Sequence, residues 1–236
     1  MNGSKDILKE LKSLSNEEKR EFLPRFFKTG KGEYGEGDIF WGITVPNIRS
    51  VAKKYYKEIS LEQLKEILNH AVHEVRLTGY IILTYKFEKG DIDVKKEIYT
   101  FYINNLQGCN SWDIVDLSCY KILGEYLYLS KESTDILLDF AKSNDLWKQR
   151  ISIVSTFAFL KRNEFKHTLK ISEILLKSEK DLIRKAIGWM LREVGKRDID
   201  VLREFLDRNI KDISRTSLRY AIERMSKEER KRYLSL

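Results

Sequence analysis

The sequence predicts an all-α protein, a curved superhelical solenoid of stacked helix pairs in a single domain over residues 1–236. Three observations carry this expectation. Two prolines and twelve glycines among 236 residues leave long stretches uninterrupted. Strict alternation of apolar and polar residues is confined to short ambiguous runs, so no strand competes with a helical reading. From Ser60 onward, apolar residues recur at helical spacing in paired blocks. The second block of each pair opens about 32–38 residues after the last, near the period of paired-helix repeats of the HEAT-like kind.

Taken in order, residues 5–14 carry Ile7, Leu8, Leu11 and Leu14 at helical spacing. Ser15, with Glu18 three residues on, reads as a capping box that opens a second short helix. Pro24 kinks or ends that helix. Residues 28–44 hold five of the twelve glycines and read as a surface loop, in which Trp41 has no assigned role. Pro46 suits the first turn of a helix running through Tyr56. Five pairs follow: 60–71 with 73–88, 93–106 with 111–128, 131–143 with 146–162, 165–178 with 180–195, and 199–209 with 214–225. Their second helices open on His73-Glu-Val-Arg, Ser111-Trp-Asp-Ile, Trp147-Lys-Gln-Arg, Leu182-Ile-Arg-Lys and Ser214-Arg-Thr-Ser. The closing run Lys227–Arg232 is mixed in sign and reads as a solvated helix face.

The formal charge is +8 with 34% charged residues of both signs, which suits a polyanion-binding face without requiring one. Cys109 and Cys119 have no CxxC spacing and only three histidines accompany them, so neither a zinc site nor a disulfide framework is implied. His70, His73 and His167 fit no nucleophile or metal pattern and are assigned nothing. The N-terminus lacks the apolar stretch of a signal peptide, and no run of about eighteen apolar residues could cross a membrane. A reducing cytoplasm is the default compartment, a monomer is the simplest assembly, and no cofactor is expected.

The informative stretch is Ser111-Trp112-Asp113-Ile114-Val115-Asp116. Trp112 and Asp116 lie four residues apart and share one helix face, where an indole and a carboxylate together cradle a flat cation. Asp113 most simply caps, with Asn110 as N-cap. Asp116 lies beyond the capping turn and interrupts a stripe of Trp112, Cys119, Leu123 and Leu127, so it is either a functional acid or the partner of Arg150 in a structural ion pair. Arg150 follows Asp116 by 34 residues and precedes Arg184 by the same interval. In a repeat stack this phase brings Trp112, Asp116, Arg150 and Trp189 to one inner surface. Lys148, Arg184, Lys185, Arg192, Arg215 and Arg219 then add positive charge along it. The alternatives are core packing for Trp112 and Trp189, packing or rim for Trp147, and a repeat-to-repeat staple in place of a phosphate clamp for Arg150. No P-loop, GxGxxG, HExxH or GxSxG motif is present.

SWDIVD at 111–116, LWKQR ending at Arg150, RKAIGWMLRE at 184–193 and YGEGDIFWGITVPNIRSVAKKY at 34–55 resemble the AlkD-like DNA alkylation repair glycosylases. The resemblance runs from about residue 15 to 226. It implies a HEAT-like repeat glycosylase that removes cationic N3- and N7-alkylated purines from double-stranded DNA, with no membrane partner. Carried over by position, Asp116 matches the family's catalytic carboxylate, Trp112 and Trp189 its cleft tryptophans and Arg150 its cleft arginine. Two other readings compete: a non-catalytic module that binds branched or damaged DNA, and a protein–protein scaffold.

Overall fold

The computed structural model describes residues 3–236, and its described residues are all-helical apart from one isolated bridge between Ile39 and Val72. They fall into two compact units, one ending at Tyr126 and the other spanning Leu127–Leu236.

The first unit opens with α1 (Gly3–Ser13) and α2 (Glu17–Phe22). Asn16, not Ser15, caps α2 by accepting the Lys19 N–H, while the Ser15 hydroxyl turns back to the Lys12 carbonyl. Either residue could cap, and the asparagine stands one position nearer the helix start. Pro24 enters a 3₁₀ turn (Leu23–Phe26), where its missing N–H costs nothing. After the glycine-rich segment come α3 (Val45–Tyr55), α4 (Leu61–Leu68), α5 (His73–Lys89) and α6 (Ile92–Asn104). Ser60 and Gln63 form a reciprocal capping box at α4 and Asp91 caps α6. Helix α5 packs against α3, α4, α6 and α7, so nearly its whole circumference is buried.

The stretch expected as one helix over 111–128 is α7 (Trp112–Cys119), a π turn (Tyr120–Gly124) and α8 (Glu125–Ser130) in direct succession. The π turn inserts a residue and advances the helical phase by about 100°.

The second unit contains α9 (Asp135–Lys142), α10 (Leu146–Ser155), α11 (Phe157–Leu160), α12 (Lys166–Leu175), α13 (Asp181–Gly195), α14 (Ile199–Asn209), α15 (Arg215–Ala221) and α16 (Lys227–Ser235). Asp145, Asp198, Ser214 and Ser226 cap α10, α14, α15 and α16. Packing follows the repeat logic: α9 touches α10 within a pair, first helix α9 touches first helix α12, and the second helices run α10 to α13 to α15. Ile151, Val154, Ile183, Ile187, Leu191, Phe205 and Leu218 fill the space between these layers. Gly188 is where α13 and α15 approach most closely. A Cβ there would lie 2.4 Å from Tyr220 Cβ and 2.6 Å from the Ser217 carbonyl oxygen.

Candidate active site

In the first unit, Trp112 and Asp116 stand one turn apart at the N-terminal end of α7, both half-buried. Asp116 is therefore not sealed in the core. Further along the same stripe, Cys119 and Leu123 are completely buried, so the helix passes from open to closed within two turns. The Trp112 ring stacks on Phe27 with centroids 5.5 Å apart and planes at 15°. The Cys109 thiol is buried beneath this turn, close to Tyr102 and Ser118. Burial first, then the carboxylates of Asp113 and Asp116, push it up to about 12, so it stays protonated.

Asp113 does more than the capping expected of it. Ser111 occupies the N-cap position in place of Asn110, but its hydroxyl donates to Asp113 Oδ1 at 2.7 Å and caps no amide. The same oxygen accepts the Ile114 N–H. The other, Oδ2, lies 2.8 Å from His73 Nε2, and His73 Nδ1 lies 3.1 Å from Asp38 Oδ2. Arg76 then donates to Asp38 Oδ1 at 2.6 Å and to the carbonyls of His70 and Ala71. A buried chain of alternating charge, Arg76–Asp38–His73–Asp113, thus ends on the first turn of α7.

The histidine to which sequence assigned nothing is the hub of this chain. Burial alone would lower the imidazole's pKa, but Asp113 and Asp38 outweigh it and raise it to about 9. Asp38 is held below the usual carboxylate range by His73 and Arg76 against its own burial.

The glycine-rich segment is a mostly exposed loop over 28–37, as the sequence suggested, but its second half, 38–43, is tied down. Glu74, buried on α5, accepts the backbone N–H groups of Trp41, Gly42 and Ile43 at 2.8–3.1 Å. Gly42 adopts φ +77°, the left-handed residue such an amide nest needs. Ile39 accepts the His73 N–H, and Phe40 packs on the His73 ring. Residues 38–43 form a strap bolted to α5, and the Lys12 ammonium lies 4.5 Å over the Trp41 ring. A run of Gly, Asp and aromatic residues near an acidic helix start was the only available signal, and its partners lie 31–38 residues away.

In the second unit, Arg150 on α10 is buried at 5% exposure and donates to the Leu182 carbonyl in the first turn of α13. That bond ties α10 to α13. Trp189, half-buried on α13, faces Phe157 with ring centroids 6.3 Å apart, and the Arg197 guanidinium covers the Phe157 ring at 5.6 Å. Trp147 is half-buried at the start of α10. Lys148 and Arg219 are exposed. The remaining basic residues have partners: Arg184 with the Ser178 carbonyl, Lys185 with Asp181, Arg192 with Glu223 and Arg215 with the Leu234 carbonyl. The 227–232 run pairs back onto α14 through Arg203–Glu229 and Arg232–Asp207, the expected solvated face with added ties.

Among the described residues no cluster of His, Cys, Asp and Glu has the geometry of a metal site, and no helix is long and apolar enough to cross a membrane. The family model of the DNA alkylation repair enzyme matches residues 7–225. A search of curated proteins finds no match. Among solved structures, a predicted DNA alkylation repair enzyme from Enterococcus faecalis is similar at 18% identity and a TM-score of 0.71, covering 90% of this chain and 97% of that one. The chain belongs to the DNA alkylation repair enzyme family, and its fold is the one that structure has.

Proposed function

We propose that this member of the DNA alkylation repair family is a monofunctional glycosylase that hydrolyses the N-glycosidic bond of N3- and N7-alkylated purines in duplex DNA. The observation that carries the proposal is the pairing of Trp112 and Asp116 on one open helix face, an indole and a carboxylate one turn apart. An alkylated purine is already cationic. When its bond to the sugar breaks, the base takes the bonding electrons and leaves neutral, and the positive charge passes to the deoxyribose, as in glycoside hydrolysis. Asp116 stabilises that cation and orients the water whose oxygen bonds to the anomeric carbon, accepting the proton it sheds. Trp112 and Trp189 lay their π faces against the charged sugar. The products are a free alkylpurine and an abasic site.

In this reading Trp112, Asp116, Arg150 and Trp189 are the working residues of a monomer that uses no cofactor. Recognition through the sugar leaves the base in the duplex and confines catalysis to labile lesions. Lys148 and Arg219, both exposed and in no ion pair among the described residues, carry the phosphate contacts. Arg184, Lys185, Arg192 and Arg215 contribute field more than direct contact while they keep their present partners.

The decisive experiment measures release of 7-methylguanine from methylated duplex DNA. Asp116→Asn is expected to lower the single-turnover rate roughly 10²- to 10³-fold, the scale of losing one electrostatic stabiliser, with DNA affinity little changed. Normal excision by that variant would remove Asp116 from the mechanism. One observation favours a second reading, a DNA-structure binder without catalysis: the Arg150 guanidinium is buried and engaged with Leu182. That reading predicts DNA binding but no base release by the wild type.

A further inference from the structure

Sequence left His73 without a role, and the geometry gives it one. We propose that His73, clamped between the Asp38 and Asp113 carboxylates, is a positioning residue that sets the first turn of α7 and thereby the placement of Trp112 and Asp116. The catalytic half of this statement rests on the glycosylase reading; the positioning half does not.

Each imidazole nitrogen faces a carboxylate oxygen, at 3.1 and 2.8 Å. A carboxylate only accepts, so both nitrogens must donate and the ring is an imidazolium. Phe27 and Phe40, themselves 5.0 Å apart, lie together on one side of the ring, with centroids 4.6 and 4.8 Å from it, and favour a desolvated cation there. The charges that face it come from three sides: Asp38 on the strap, Asp113 on α7, and Arg76 one turn along α5, which pairs with Asp38. The Cys109 thiol beyond Asp113 stays neutral. The four charges balance, so the ion chain is tolerated in the core, but apolar residues of like volume would hold a core at least as well. What apolar residues could not do is fix orientation.

His73 reaches α7 by two routes that converge on one turn. The first is its bond to Asp113, whose other oxygen is held by Ser111 and the Ile114 amide. The second is the Phe27 ring, which packs on His73 and stacks on Trp112. The helix start and the indole are thus located against α5 and the strap. Losing one proton from the ring would aim a lone pair at a carboxylate and release one end of the clamp.

The test uses the full chain. His73→Gln retains a donor for one carboxylate and lacks the charge; His73→Leu lacks both. Single-turnover release of 7-methylguanine and DNA affinity are measured from pH 6 to 10. In parallel, a chain in which Trp112 is the only tryptophan (Trp41, Trp147 and Trp189 replaced by Phe) is read by acrylamide quenching. Positioning predicts that His73→Gln lowers the rate constant by roughly ten- to hundredfold, the cost of a misplacement near 1 Å, while affinity changes less than about threefold. His73→Leu should be worse, and Trp112 should become more accessible in both. In the His73-containing chain, quenching of Trp112 should step up near pH 9, and His73→Gln should lack the step. Unchanged rate and quenching in His73→Gln would overturn the proposal, as would the absence of any step near pH 9 if that variant does not fold. Should the wild type release no base while Trp112 quenching still follows His73, the positioning role stands and the glycosylase reading falls.

Discussion

Asp113 and Asp116 stand three residues apart on one helix with divided labour. Asp113 takes two hydrogen bonds from its own turn and a third from His73, so both its oxygens are engaged within the first unit. Asp116, a turn deeper on the side shared with Trp112, is half-buried and is the acid the proposed mechanism uses. The His73 clamp also carries a stability prediction. Its folded-state pKa, about 9, exceeds the unfolded value of about 6.5. Its contribution is therefore complete below about pH 6.5 and is lost as pH rises through 9, amounting at most to roughly 3 kcal/mol. Asp38 behaves oppositely, since its folded pKa is depressed: its contribution is present above the unfolded value and is lost as the solution is acidified. Urea unfolding at pH 6 and pH 10 should show the alkaline loss, and His73→Gln should flatten it. Glu74→Ala leaves three backbone N–H groups of the strap without an acceptor and should cost about 2–4 kcal/mol in the same measurement, because orphaned buried donors keep their full desolvation penalty.

At the scale of elements, the second unit depends on how closely its second helices can approach. Gly188 lets α13 lie against α15, and the Ser217 hydroxyl there donates to the Arg184 carbonyl. Gly188→Ala places a methyl against Ser217 backbone and the Tyr220 Cβ, neither of which can swing away. A loss of about 1–3 kcal/mol in thermal or urea unfolding is expected, and a variant as stable as wild type would mean the two helices separate freely. The π turn after α7 is another element-scale feature. It follows Asp116 by four residues and packs against α5 and α6, so it resets the helical phase just where the stripe becomes buried. Periodicity read from the sequence carried one phase through 111–128 and could not register that step.

For the whole molecule, the net charge of +8 and a family match spanning residues 7–225 argue for DNA as the partner. Affinity for duplex DNA should fall steeply with salt. Replacing Lys148 or Arg219 by Ala should each reduce the slope of log affinity against log salt by about one, because a phosphate that meets no side-chain cation keeps its own counterion. Arg192→Ala should change that slope less, because Glu223 already neutralises its guanidinium. A flat salt response would count against a backbone-binding face.

Sequence alone determined the all-α class, the helix pairs and most of their starts, because apolar periodicity acts within a few residues, though the caps it named, Ser15 and Asn110, each gave way to the next residue. It also singled out Trp112 and Asp116, whose shared face is a property of one helix. Only the tertiary structure decided that residues 38–43 form a strap, that His73 is a buried cation and that Arg150 bonds to the start of α13. Those outcomes turn on partners such as Asp113, 40 residues from His73, and Leu182, 32 from Arg150. A side chain's charge state and orientation follow from what packing brings to it across such distances, and no local pattern in the chain encodes that neighbour.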